Sequence, residues 1–157
     1  MPNIVYVGTS LDGYIADRDG GLEFLECVPN PAGDDLGFAD FMDSVDALLM
    51  GRKTFETVLS FGIDWPYAKD VFVYSSSLDE VPAELAGKAE IVTGELSDVV
   101  AQLHERGFDR LYVDGGELVR SLLEQDTVDE MIVARLPIVL GGGTPLFGAT
   151  DRHLDFD

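Results

Sequence analysis

The chain has few cations, few thiols and no long apolar run. Cys27 is its single cysteine, so no disulfide forms within one chain, and a small half-buried apolar side chain in a reducing interior is the fitting role. His104 and His153 are its two histidines; far apart and beside one thiol, they offer no metal-ligand spacing. No stretch reaches the roughly 20 apolar residues that a bilayer span requires. The amino terminus runs straight into a strand-like segment without a basic region before it, so no signal peptide is expected and the location reads as cytoplasmic. G-x-S-x-G is missing, which removes support for serine-hydrolase chemistry. Ten basic residues stand against 30 acidic ones, a net charge of −20. Nucleic acid is thereby disfavoured as a partner, because phosphate neutralisation needs a basic surface.

The acidic excess is spread along the chain. Aspartate outnumbers glutamate, and lysine occurs only at Lys53, Lys69 and Lys88. In dilute buffer such self-repulsion opposes the compact state; near 1 M salt the Debye length falls to about 3 Å and the repulsion largely disappears. With 46% hydrophobic residues still available for a core, the composition resembles that of cytosolic proteins from extreme halophiles. An ordinary acidic bacterial protein is the alternative.

Residues 1–157 read as one domain. Short β-branched runs at 3–8, 47–50, 71–74, 90–93 and 111–113 predict strands. Between them lie helical patterns: 36–45, 51–59, 96–106 with Gly107 as its stop, and the stretch after Gly116 through Leu118, Val119, Leu122 and Leu123. Residues 11–21 are rich in Asp and Gly and read as a loop. Residues 128–136 alternate partly, with Pro137 marking a bend or an edge. Strands joined by helical crossovers imply an α/β fold: a largely parallel central sheet with helices on both faces.

Ligands of such sheets bind where strands end and helices begin. Three junctions qualify. Met50-Gly51-Arg52-Lys53-Thr54 sets two of the scarce cations side by side at a helix start, suited to a pyrophosphate or a 2′-phosphate; a tight turn with two solvated cations fits equally. Ser75-Ser76-Ser77 ends a strand with hydroxyls and free N–H groups, although serines also simply make turns. Asp114-Gly115-Gly116-Glu117 lets a ligand lie on bare peptide planes. It is not a G-x-G-x-x-G fingerprint, so an ordinary Rossmann assignment is weak.

Ser10-Leu11-Asp12-Gly13-Tyr14-Ile15-Ala16 and Met50-Gly51-Arg52-Lys53-Thr54-Phe55-Glu56, followed by Val113-Asp114-Gly115-Gly116, Val128-Asp129-Glu130 and Pro137-Ile138-Val139-Leu140-Gly141-Gly142-Gly143-Thr144-Pro145-Leu146-Phe147, resemble the dihydrofolate-reductase-like superfamily in this order. They are most similar to the branch holding the reductase domain of the riboflavin-pathway deaminase/reductase. The resemblance implies NADPH as hydride donor. It puts Ile15 and Ala16 beside the nicotinamide, and Gly51, Arg52 and Thr54 on the phosphates. Arg52 with Ser75 and Ser76 would take the 2′-phosphate, and Gly115, Gly116, Glu117 and Leu118 would lie under the pyrophosphate and ribose. Where many dihydrofolate reductases carry Arg after the glycine pair, this chain has Glu117-Leu118.

Two carboxylates are candidates for substrate contact and proton chemistry. A gapless count back from Gly51 puts Asp35 where dihydrofolate reductases carry a catalytic acid, with a solvated surface residue as its alternative. Asp12 lies in the loop expected to cover the substrate. Trp65-Pro66 reads as a loop cap near the core, or else as a substrate wall. The resemblance implies hydride transfer to a pteridine or a (ribosylamino)pyrimidine, as in 5-amino-6-(5-phosphoribosylamino)uracil reduction. Dihydrofolate reduction and a catalytically silent nucleotide-binding module are the rivals. It also implies a homodimer through the carboxyl-terminal sheet edge, where residues 152–157 are expected to supply only part of a further strand pair.

Overall fold

The computed structural model describes residues 2–33, 35 and 37–157. Leu36, expected to open the first helix, lies outside them. Six strands form one sheet: β1 (Asn3–Thr9), β3 (Ala47–Gly51), β4 (Asp70–Tyr74), β5 (Ala89–Val92), β6 (Leu111–Asp114) and β7 (Glu130–Arg135). Their order is β5-β4-β3-β6-β1-β7, and the neighbouring strands run parallel. Two short strands, β2 (Tyr14–Ala16) and β8 (Thr144–Pro145), make a separate antiparallel pair. Strand β2 lies within residues 11–21, where the Asp and Gly content predicts a loop; its partner strand lies far along the chain.

Side-chain alternation sends each strand's residues to two faces. Ala47 and Leu49 join one apolar cluster while Leu48 and Met50 join the other. The first cluster is closed by α3 (Leu96–Glu105) and α4 (Gly116–Glu124), through Val99, Leu103, Leu118 and Leu122. The second is closed by α1 (Phe38–Ser44) and α2 (Arg52–Ser60), through Phe41 and Phe55. Apolar residues one helical turn apart make these contacts, and each fully buried Leu, Val or Phe contributes on the order of 1.5–3 kcal/mol. Helices therefore cover both faces, as the sequence predicted.

Helix α3 stops as expected. Gly107, at φ 96°, donates to the His104 carbonyl and Phe108 donates to that of Leu103, the paired bonds of a Schellman motif. His104 is held there through its ring nitrogen, 2.9 Å from the Phe108 carbonyl oxygen. Cys27 is exposed rather than half-buried, because it follows a short 3-10 turn (Glu23–Glu26) that buries only Phe24. No helix among the described residues is long and apolar enough to cross a membrane.

The topology opens a crevice. Strands β3 and β6 are neighbours, yet α2 leaves β3 for one face and α4 leaves β6 for the other. Adjacent strands whose helices diverge create a cleft at their carboxyl ends, the usual ligand position in an open parallel sheet.

Candidate active site

A cavity of about 1100 Å³ occupies that crevice, at the upper end of the size range of small-ligand sites. All eleven residues expected to hold a cofactor line it: Ile15, Ala16, Gly51, Arg52, Thr54, Ser75, Ser76, Gly115, Gly116, Glu117 and Leu118.

The β3–α2 and β6–α4 junctions are packed against each other. Gly115 adopts φ 112°, and a Cβ there would fall 2.6 Å from Thr54 Oγ1 and 3.7 Å from the Gly51 nitrogen. A Cβ on Gly116 would lie 2.8 Å from Ile15 Cδ1. Bare glycines are thus what let the two helix starts and β2 approach. Neither α2 nor α4 has a side-chain hydrogen bond at its N-cap. Their first-turn N–H groups are left for solvent or a ligand, and the partial positive charge of both helix ends points at one place. Arg52 donates to Ser77 Oγ at 3.2 Å, and Lys53 meets Glu117 across the two helix starts at 3.3 Å. Ser75 is committed locally: its Oγ accepts from the N–H groups of Ser77 and Leu78, both at 3.1 Å. That turn presents Ser76 and Ser77 to the cavity beside Arg52.

The two candidate carboxylates, Asp35 for proton chemistry and Asp12 for substrate contact, lie outside the residues that line the cavity. Asp35 is exposed and lies outside the lining residues. Its oxygens accept from the N–H groups of Gly37 at 3.0 Å and Ala39 at 2.9 Å, which caps α1 and holds its pKa below the usual carboxylate value. Asp12 also lies outside the lining. It accepts from Ser10 Oγ at 2.6 Å and from the N–H groups of Leu140 at 3.1 Å and Gly141 at 2.8 Å. These bonds, the Ser10 hydroxyl foremost, bring its pKa down to about 2. An acceptor so engaged is a latch between the β1–β2 loop and residues 137–143, not a proton donor. Asp12→Ala is expected to speed amide hydrogen exchange at Leu140 and Gly141; unchanged protection would show that the loop is held by other contacts.

Besides Glu117, which is paired with Lys53, the cavity is lined by the carboxylate of Asp114, the last residue of β6. Burial pushes its pKa up to about 6, against a smaller lowering by the Gly115 N–H. Tyr67, which also lines the cavity, is pushed up to about 12 by burial and then by the Asp114 charge. Trp65 does not line the cavity; it packs edge-on between Phe55 and Tyr67, with ring centroids 5.9 and 5.2 Å away, and so braces the tyrosine. In the sequence Asp114 stands only as the first residue of the Asp-Gly-Gly-Glu junction, with no role of its own. The available signal was a carboxylate at the carboxyl end of an apolar strand, immediately before the glycine pair.

A doubly covered parallel sheet, with two bare helix starts over its central crevice, defines an α/β protein of the dihydrofolate-reductase-like fold. The chain belongs to the RibD C-terminal domain family, whose pattern matches residues 4–156. It resembles a candidate riboflavin biosynthesis protein from Shewanella sp. PV-4, with 50% identity and a TM-score of 0.97 over 100% of this chain and 89% of that one. YwjB of Bacillus subtilis (strain 168) is 32% identical over 146 residues, 92% of this chain and 81% of the relative. The fold is shared at 17% identity, TM-score 0.63, with dihydrofolate reductase from Enterococcus faecalis complexed with NADP(H), over 96% of this chain and 79% of that one.

Proposed function

We propose that the protein is an NADPH-dependent reductase that transfers a hydride to a C=N or C=O bond of a pteridine or pyrimidine-type substrate. One arrangement carries the reading: two uncapped helix starts and Arg52 with its serines converge on a cavity whose inner wall holds the protonatable Asp114. Family membership and the fold shared with a dihydrofolate reductase support it.

The N–H groups at the starts of α2 and α4 would bind the pyrophosphate, with Gly115 and Gly116 admitting it to the peptide planes. Arg52, Ser76 and Ser77 offer charge-assisted bonds to a 2′-phosphate. When bound, NADPH supplies the hydride. Ile15 and Ala16 exclude water from its reactive end, and Asp114 donates a proton to the substrate nitrogen or oxygen and regains it from solvent. Dihydrofolate reduction of the usual kind is disfavoured, because Asp35, at the position expected of its helix carboxylate, caps α1 instead.

Fluorescence titration with NADPH and with NADH, in about 2 M KCl to screen the acidic surface, tests the cofactor. NADPH is expected to bind more tightly, and Arg52→Ala to weaken NADPH by about tenfold while leaving NADH nearly unchanged. Equal or absent binding of both would undo the assignment. NADPH binding without hydride transfer across a panel of heterocycles would favour the silent module.

We further propose that two chains pair through β7, a sheet edge with Ile132 at 46% and Val133 at 37% exposure. Such an edge is normally covered or charged. Light scattering in the same salt is expected to give twice the 17.1 kDa chain mass; a monomer would reject the pairing.

A further inference from the structure

The cavity has two chemically different halves. Toward β4 and β5 it is polar and cationic, with Arg52, Lys53 and the serine turn. Toward β1 and the far end of α2 it is walled by Tyr6, Leu22, Leu25, Val58, Phe61 and Tyr67. Asp114, at the end of β6 between β3 and β1, lines the cavity close enough to Tyr67 for its charge to raise the tyrosine's pKa.

The cations of the chain can all be placed. Of the ten Lys and Arg, three line the cavity: Arg52, Lys53 and Arg120. Arg52 and Lys53 belong to the cofactor half. Arg120, on α4, is hydrogen-bonded to the Pro145 carbonyl, packs on Gly148, and brings a guanidinium nitrogen to 2.9 Å from where a Cβ on Gly116 would stand, so its charge lies against the cofactor half. Outside the lining, Arg18 and Arg135 are bound to the carbonyls of Gly141 and Leu11. Arg106, Arg110 and Arg152 are paired with Glu90, Glu130 and Asp126. Lys69 and Lys88 immediately precede β4 and β5, at the opposite ends of the strands.

We propose that the substrate half selects a neutral or cationic nitrogen heterocycle lacking a phosphate or carboxylate tail. This rests on the reductase reading and narrows its substrate class. A phosphate monoester carries nearly two negative charges at neutral pH. Set against aromatic and aliphatic side chains, it needs a cation or a set of directed N–H groups to bind rather than stay in water. Among the described residues this half shows no cation, and above about pH 6 it holds a carboxylate that repels anions. Its tyrosines and apolar walls instead suit the faces of a planar ring, and Asp114 accepts from a ring N–H or an amino group. The chain's net charge of −20 acts in the same direction at low salt.

Calorimetric titration of NADP⁺-saturated protein with two matched pairs tests this. The first pair is a 5-amino-6-ribosylaminouracil nucleoside and its 5′-phosphate; the second is dihydropterin and dihydrofolate. The tail-free member of each pair is expected to bind at least about tenfold more tightly at 0.15 M salt, with the gap narrowing in about 2 M KCl. Phe61→Arg, at a cavity-lining position already 51% exposed, is expected to close the gap in the first pair by restoring the phosphate's affinity. Anionic members binding as well as their partners, or neither member of either pair binding, would overturn the inference. NADPH binding, followed separately by fluorescence, distinguishes that failure from failure of the reductase reading, in which cofactor affinity itself is missing.

Discussion

Asp114→Asn is expected to lower kcat about 100-fold or more while leaving NADPH binding intact, the size of effect associated with losing a positioned acid. The same substitution is expected to stabilise the fold at alkaline pH. Asp114 titrates at about 6 in the folded protein against an ordinary 3.8, because burial penalises its charged form. A raised carboxyl pKa means that the folded state holds the proton more tightly than the unfolded chain does. The associated stability is complete below about pH 4 and is lost as the pH rises through 6. Asparagine keeps the shape and stays neutral, so the variant escapes that loss. Its advantage should be absent near pH 4 and reach about 1–3 kcal/mol at pH 8, several degrees in Tm for a chain of this size. Wild-type kcat should fall as pH rises through about 6, and the variant's residual rate should be flat. Retention of kcat by the variant would assign the proton to solvent and leave Asp114 as a substrate contact alone.

That opposition, activity lost and stability gained, would also explain why the site was only partly legible in the sequence. The phosphate-binding junctions are local objects. A strand, a glycine and a helix start follow one another within five residues, so Gly51, Arg52 and Thr54 could be chosen without knowing what lies beside them. The role of Asp114 is not local. It depends on β6 being threaded between β3 and β1, with Tyr67 and Tyr112 placed near it from segments about 50 residues upstream and two residues upstream. Nothing in Val-Asp-Gly-Gly states the burial that raises its pKa. Asp35 illustrates the converse. An aspartate four residues before Ala39 is a ready acceptor for helix N–H groups, and in a chain with 30 acidic residues a positional count finds such a residue almost anywhere. Asp12 stands in a turn, as its Asp- and Gly-rich surroundings predict. Its partners, the N–H groups of Leu140 and Gly141, lie at the other end of the chain, as does β8, the partner of β2. Contacts of such sequence separation leave no periodic trace.

Gly115→Ala should be the most damaging single-methyl substitution in the cofactor half. Two independent costs fall on it. Its φ of 112° is backbone that an L side chain rarely adopts, and the new Cβ would stand 2.6 Å from Thr54 Oγ1. The backbone cost alone is on the order of 1–3 kcal/mol. The steric cost must be relieved by moving Thr54 or the β6–α4 turn, and either movement separates the helix starts that would grip the pyrophosphate. NADPH affinity is therefore expected to fall by about tenfold or more, with Tm lowered by several degrees. Adding Thr54→Ala separates the two costs, since it removes the obstructing oxygen and leaves the torsion unchanged. The double variant should recover part of the NADPH affinity relative to Gly115→Ala alone while staying less stable than wild type, giving a coupling between the two positions of about 0.5–3 kcal/mol. Additive losses would mean that Thr54 yields freely to the methyl group. In that case the contact between the two junctions would not set the spacing of the helix starts, and the glycine would be required for its backbone torsion alone.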